Sequence, residues 1–109
     1  MFAFTKLNGA PLDKEYNQLR ERWEPLVEIT QIKGDSETHP FLSPNDEFAD
    51  YETWDVANLS MVTKTTKSQL PGSYVRDALK RGLLLYNKTG ANPYKFGVIG
   101  SSDSHTGIV

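Results

Sequence analysis

Hydrophobic positions near the N-terminus recur at the spacing of an amphipathic helix. Four of them are spaced by four, three and four residues: Leu12, Tyr16, Leu19 and Trp23. This period predicts a helix over about Lys14 to Trp23 that packs through one face. Asp13 suits the N-cap of that helix, and Pro25 biases Glu24 away from helical dihedrals and ends it.

The next stretch changes to the alternation of a strand. Leu26 to Ile32 reads LVEITQI and places Val27 and Ile29 on one face. A helix that leads directly into a strand is half of an α/β unit. Glu28 lies in the middle of this strand, where a carboxylate needs a partner, a metal or solvent, and a solvent-facing position is the simplest interpretation.

A polar loop that follows the strand holds three groups able to ligate a metal or exchange a proton. Asp35, Glu37 and His39 occupy alternate positions, and Pro40 holds His39 extended. Loops after strands carry much of the chemistry of α/β proteins, so this loop is a candidate site. The same residue types populate ordinary solvated turns, and that interpretation stays open.

The middle of the chain is less regular. Phe41 to Leu59 predicts a short helix, because Ser43-Pro44 places an N-cap before a proline at the first helical position. Ser60 to Gln69 has no hydrophobic period and predicts a mobile connection. Its two lysines, Lys64 and Lys67, could meet an anionic substrate.

A second, stronger helix follows. Pro71-Gly72-Ser73 marks its start and Gly90 its end. The predicted buried stripe consists of Val75, Ala78, Leu79, Leu83 and Tyr86. Gly82, inside the helix, costs about 1 kcal/mol relative to alanine and suggests close packing against a strand. Asn92-Pro93 then turns the chain into a strand from Tyr94 to Gly100.

The order of these elements, helix, strand, helix, helix, strand, indicates an α/β fold with a mostly parallel sheet and flanking helices. Two strands are too few to complete such a domain, and a closed α/β barrel takes about 250 residues. The chain also ends four residues after His105. We therefore expect residues 1–109 to form a single incomplete α/β domain, either a piece of a larger protein or a subunit that completes its sheet with another chain.

Composition narrows the classes of function. The chain is 38% hydrophobic and 24% charged, as is ordinary for a globular domain. Its net charge of −2 gives no basic surface, so no nucleic-acid partner is expected. Cysteine is absent, so a metal would have to be held by His, Asp, Glu or water. There is no signal peptide and no run of about 18 apolar residues, which predicts no membrane association and, for a complete chain, a cytoplasmic location.

The most suggestive stretch is the last apolar run, Phe96 to Gly107, which reads FGVIGSSDSHTG. Asp103 and His105 are two residues apart, so both would point the same way from an extended chain. Carboxylate and imidazole are common ligands of zinc, manganese and iron. Ser102 and Ser104 would point to the opposite face, which argues against a Ser-His-Asp triad. A plain loop is the alternative interpretation of this motif.

Three segments together resemble the C-terminal part of a bacterial family of unknown function related to the PHP phosphoesterases, named for polymerase and histidinol phosphatase. They are WEPLVEITQIKGDSETHPF, GSYVRDALKRGLLL and PYKFGVIGSSDSHTG, within a match from about Leu12 to Val109. The resemblance implies part of a distorted (β/α)7 barrel that carries a cluster of metal ions at its strand ends. In that superfamily the last strand ends in a G-S-D-x-H motif, which makes Asp103 and His105 the metal ligands.

The resemblance also implies a function for the full-length protein. It would be a metal-dependent, phosphoesterase-like hydrolase in which divalent Mn, Zn or Fe ions activate water against a phosphate ester. Glu37 or His39 would bind substrate or relay a proton. The superfamily's N-terminal H-x-H motif is missing, and His39 and His105 are the only histidines. The fragment alone is therefore expected to hold metal poorly and to be inactive.

A non-catalytic function is the alternative. An incomplete α/β chain could serve as an interaction or structural module that associates through its exposed sheet edges. Uncovered strands would then lead to self-association of the chain.

Overall fold

A computed structural model describes residues 1–58 and 60–107 of the chain. Leu59 and Val109, which end two of the segments discussed above, lie outside the described residues. The regular elements are α1 (Lys14–Trp23), β1 (Leu26–Gln31), β2 (Gly34–Asp35), α2 (Val75–Thr89) and β3 (Gly97–Gly100), with one 3-10 turn at Lys67–Gln69. Within the described ranges, no helix is both long enough and apolar enough to cross a membrane.

The three strands form a small mixed sheet in the order β2-β1-β3. β1 runs parallel to β3, with Val27 opposite Val98, and antiparallel to β2, with Thr30 opposite Asp35. The prediction of a mostly parallel sheet is therefore corrected. The reason is local: Gly34, at φ +132°, lets the chain reverse directly after β1 and return along it.

The prediction for α1 is confirmed at both ends. The Asp13 carboxylate accepts a hydrogen bond from the Tyr16 backbone N–H at 2.9 Å and caps the first turn. The buried face differs from the predicted stripe, since Leu19 and Trp23 are 50% and 70% exposed. Asn17 is fully buried instead. The helix thus packs mainly through its first half, and an amide replaces a hydrophobic residue at the contact.

The second helix also forms as predicted, and Gly90 ends it in the left-handed region at φ +79°. Its buried face is shifted from the predicted one and consists of Val75, Ala78, Gly82 and Leu85. The other three predicted positions, Leu79, Leu83 and Tyr86, are 43%, 65% and 57% exposed. The shift arises because Gly82 packs closely against the side chain of Asn92 and not, as predicted, against a strand.

The core lies between the helices and one face of β1. Its buried cluster consists of Phe2, Leu12, Val75, Ala78, Leu85 and Tyr94, and Val27 and Ile29 pack against it from β1 as their alternation predicts. Tyr94 is fully buried, and its ring meets Phe2 edge-on at 5.4 Å. The predicted strand from Tyr94 therefore starts later, at Gly97, because the residues before it serve the core.

The predicted helix after Ser43-Pro44 does not form, and the described residues there make successive turns. Ser43 does not act as an N-cap, because its hydroxyl lies 2.8 Å from that of Thr38. Asp46 accepts the Phe48 backbone N–H at 3.0 Å, a local bond that competes with helical hydrogen bonding. Side-chain bonds to the backbone thus override the helical signal in this segment.

Candidate functional site

The tip beyond β3 brings Asp103 and His105 together, although not by the route the sequence predicts. The strand ends at Gly100, and Asp103 has a left-handed φ of +53°, so the two residues do not alternate along a strand. The turn instead places Nε2 of His105 4.0 Å from Oδ1 of Asp103. A carboxylate and an imidazole therefore share one exposed spot at the end of the sheet.

The protonation of His105 follows from its backbone contact. Nδ1 lies 2.7 Å from the carbonyl oxygen of Asp103, which can only accept a hydrogen bond, so Nδ1 carries the proton. The lone pair is then on Nε2, the atom that faces the Asp103 carboxylate. The side chain is 78% exposed. Metal-ligating histidines adopt this arrangement, in which Nδ1–H donates a hydrogen bond and Nε2 is free.

Lys33 contacts the tip from outside it, and it was not among the site residues predicted from the sequence. Its ammonium forms an ion pair with Oδ2 of Asp103, whose side chain is only 26% exposed. Lys33 reaches this position from the turn between β1 and β2. The carboxyl ends of parallel strands meet at the same sheet edge, so the pairing of β1 with β3 brings the turn beside the tip. The parallel pairing expected from the sequence was therefore the signal that could have pointed to Lys33.

The tip holds two side chains of types that ligate metals, which is fewer than a metal site requires. Ligand bonds of about 2.0–2.2 Å in a tetrahedral site put two donor atoms about 3.3–3.6 Å apart, and the 4.0 Å between Asp103 Oδ1 and His105 Nε2 is somewhat longer. Across the described part of the chain, no three His, Asp or Glu side chains lie together as a metal site requires. Asp103 and His105 have donor types that metals use and would have to move slightly closer to share one ion.

Glu37, predicted to bind substrate or relay a proton, lies in an ion-pair cluster. Arg76 donates through Nε to Glu37 Oε1 at 2.9 Å and through Nη1 to Asp46 Oδ2 at 2.5 Å. The hydrogen bond from Arg76 holds the pKa of the Asp46 carboxyl below its ordinary value of 3.8, and that from the Phe48 backbone adds to the effect. Glu37 therefore connects the polar loop to the first turn of α2.

His39, the other predicted catalytic residue, has both ring nitrogens engaged. Nδ1 accepts the Phe41 backbone N–H at 3.0 Å, so the proton is on Nε2, which lies 2.9 Å from Oδ2 of Asp55. The side chain is 12% exposed, and its ring packs against Tyr74 at 5.4 Å. His39 would have to release one of these bonds before it could accept a proton.

The predicted site residues divide into two places. Within the described residues, no hydrogen bond or ion pair joins Glu37 or His39 to Asp103 or His105. Asp35 Oδ1 accepts the Glu37 backbone N–H at 2.7 Å, which orders the polar loop. The tip and the polar loop are thus separate clusters, each at one end of the β1–β2 hairpin.

A cleft of about 510 Å³ borders the β1–β2 hairpin. Its lining includes Lys33 and Glu28 from the hairpin, and Trp54, Lys64 and Tyr74 from the irregular segments and the start of α2. Lys33 therefore borders the cleft and also contacts Asp103.

Comparison with known proteins gives one match. A family model with the description "Protein of unknown function (DUF3604)" matches residues 1–109. No curated protein and no solved structure matches the chain.

Proposed function

We propose that this chain, which belongs to the family "Protein of unknown function (DUF3604)", contributes part of the active site of a metal-dependent, phosphoesterase-like hydrolase. The residues proposed as metal ligands are Asp103 and His105, as the resemblance to the PHP superfamily implies. The observation that carries the proposal is the His105 ring, which donates through Nδ1 to a carbonyl and presents Nε2 toward a carboxylate 4.0 Å away.

The residues of the tip would each have a defined part in this reaction. A bound divalent ion would polarise a phosphoryl oxygen and lower the pKa of water. The Asp103 turn would keep the His105 ring in the tautomer that leaves Nε2 free. Lys33 carries a positive charge beside the tip, where it would attract the anionic end of a phosphate ester. The remaining ligands would come from outside the described residues.

Glu37 and His39 enter the proposal as groups that bind substrate or relay a proton. Glu37 is 41% exposed on its side chain and keeps a hydrogen-bonding oxygen, Oε2, beyond the one that Arg76 engages. His39 is oriented by Asp55, whose Oδ2 lies 2.9 Å from its Nε2. Either role requires a substrate long enough to reach from the tip to the polar loop.

The test is metal content and phosphoesterase activity of the complete natural protein. Asp103→Ala and His105→Ala should each lower bound Mn, Zn or Fe and reduce hydrolysis of an aryl phosphate by about 100-fold or more. The matched control is Ser102→Ala, which removes an exposed hydroxyl one residue from Asp103. Metal content and activity that do not change in either ligand variant would refute the assignment.

A second candidate function is association of two copies through β3, with no catalysis. It is favoured by the exposure of this strand: Val98 and Ile99 are 52% and 48% exposed, and no described residue pairs with the strand edge that faces away from β1. An unpaired apolar edge is a template for another strand. A second copy offers the same edge and can pair with it by two-fold symmetry.

A further inference from the structure

The cleft that Lys33 borders is lined by several amide groups whose oxygens are engaged and whose NH₂ groups are free to donate. Three carboxamides border it, and each uses its oxygen on a backbone N–H. Gln31 accepts from Lys33, Asn58 accepts from Thr63, and Gln69 accepts from Thr66, at 2.8, 3.1 and 2.7 Å. A backbone N–H can only donate, so these bonds fix which end of each amide is the oxygen. Within residues 1–58 and 60–107, none of the three NH₂ groups has a hydrogen-bond partner.

Two lysines add positive charge to the same lining. Lys33 is paired with Asp103, whereas Lys64 has no ion-pair partner among the residues that the structure describes. The other lysine of the segment, Lys67, does not border the cleft and lies 6.0 Å from the ring of Phe41. Of the two lysines predicted from the sequence to meet an anionic substrate, Lys64 therefore borders the cleft and Lys67 does not.

Tyr74 supplies one more donor from the start of α2. The residue is only 4% exposed, borders the cleft and has no hydrogen bond to its hydroxyl in the described structure. Burial raises the pKa of this hydroxyl above 10.0, and the Asp55 and Asp35 carboxylates act in the same direction. The hydroxyl thus keeps its proton over the whole neutral range and can donate it.

The acceptors in the cleft are fewer. Glu28 and Asp35 are its two acidic residues, and Asp35 already accepts a backbone N–H at 2.7 Å. Trp54 borders the cleft with its indole N–H bonded to the Ala57 carbonyl at 2.9 Å, which leaves the ring as an apolar surface. The lining thus combines excess donors with one large aromatic face.

From this pattern we infer that the cleft binds an organic phosphate, with its anionic oxygens at Lys64, Lys33 and the free amide donors and its organic group against Trp54. Phosphate offers acceptors and no donors in its dianionic form, so it complements the unpartnered amide donors and the lysine ammonium groups of the lining. The choice of phosphate among anions rests on the proposed function, because Lys33 connects the cleft to Asp103. The presence of the binding site itself rests on the donors alone.

The experiment is a titration of the 109-residue chain with phenyl phosphate, inorganic phosphate and benzyl alcohol. Fluorescence of Trp54 reports occupancy in a Trp23→Phe background, which removes the other, mostly exposed tryptophan. Phenyl phosphate should bind at least about tenfold more tightly than benzyl alcohol, because only the phosphate makes charge-assisted hydrogen bonds. Inorganic phosphate should compete with it.

Two lysine variants provide the matched comparison. Lys64→Gln should weaken phenyl phosphate binding by about tenfold, whereas Lys67→Gln, which removes the same charge three residues away, should change it by less than about twofold. Equal effects of the two substitutions would overturn the inference, as would equal affinity for benzyl alcohol.

One further variant separates this inference from the proposed function. His105→Ala removes a proposed metal ligand and leaves the cleft lining intact. Binding that depends on Lys64 and persists in His105→Ala supports the cleft even if the complete protein proves to lack metal and phosphoesterase activity. Loss of the Lys64 dependence in a protein that does hydrolyse aryl phosphates overturns the cleft and leaves the proposed function standing.

Discussion

Replacing Gly82 by alanine tests the packing that positions the second helix. A glycine-to-alanine change in a helix interior normally stabilises by about 1 kcal/mol. Here a Cβ on residue 82 would lie 2.1 Å from Asn92 Oδ1 and 2.9 Å from Asn92 Cγ, so the whole carboxamide would have to move. We therefore expect the sign of the effect to reverse.

The magnitude follows from the bond that Asn92 would lose. Its Oδ1 accepts the backbone N–H of Tyr94 at 2.9 Å, and Tyr94 is fully buried in the core. Leaving that N–H without a partner costs about 1–3 kcal/mol. After the helix-propensity gain of about 1 kcal/mol is subtracted, the free energy of unfolding should fall by up to about 2 kcal/mol.

Urea and thermal denaturation of the two proteins measure this difference, and about 1 kcal/mol corresponds to a change in Tm of about 4–8 °C for a domain of this size. The matched control is the same substitution in an Asn92→Ala background. Without the carboxamide, Gly82→Ala should recover its usual stabilisation of about 1 kcal/mol, so the two changes should couple by about 1–3 kcal/mol. A Gly82→Ala protein about 1 kcal/mol more stable than the original would refute the reasoning.

Three other substitutions test separate parts of the structure. Arg76→Gln should lower the free energy of unfolding at neutral pH. Because Arg76 depresses the pKa of Asp46, the stability difference between the two proteins should shrink as pH falls below 3.8 and the carboxyl protonates. A stability difference that stays constant from pH 7 to pH 2 in urea denaturation would contradict this. Asn17→Asp should destabilise the fold by about 2–3 kcal/mol, because a carboxylate cannot donate to the Ala91 carbonyl as the buried amide does. The control, Gln18→Glu on the exposed face of the same helix, should change stability by less than about 0.5 kcal/mol. Val98→Lys should abolish any dimer that forms through β3, measured by light scattering, with Lys95→Ala as the control; a dimer that persists would place the contact elsewhere.

The sequence predicted the regular elements well and their buried faces less well. Periodicity and capping residues located α1 and α2, because Asp13 and Gly90 act on their own neighbours through local bonds. Which face a helix buries depends on contacts distant in sequence. Asn17 is buried because Thr89 and the Ala91 carbonyl accept its amide protons at 3.0 and 3.3 Å, and no local pattern records that pairing.

The same distinction applies to the sites. Asp103 and His105 were identified from residue types and spacing, yet the turn that brings them together contains a left-handed Asp103 that strand alternation does not predict. Lys33 was missed because it meets Asp103 only through the pairing of β1 with β3. Glu37 and His39 were predicted as candidates from their loop alone, and their partners, Arg76 and Asp55, lie 39 and 16 residues away.

The most direct test of the central claim is a titration of the chain with Mn²⁺ followed by NMR of the two histidine rings. A paramagnetic ion broadens the signals of nuclei close to it, so it reports even weak binding by two ligands. If Asp103 and His105 are metal ligands, the His105 ring signals should broaden first, those of His39 should remain sharp, and Asp103→Ala should remove the difference. Equal broadening of both rings, or none at His105, would contradict the account.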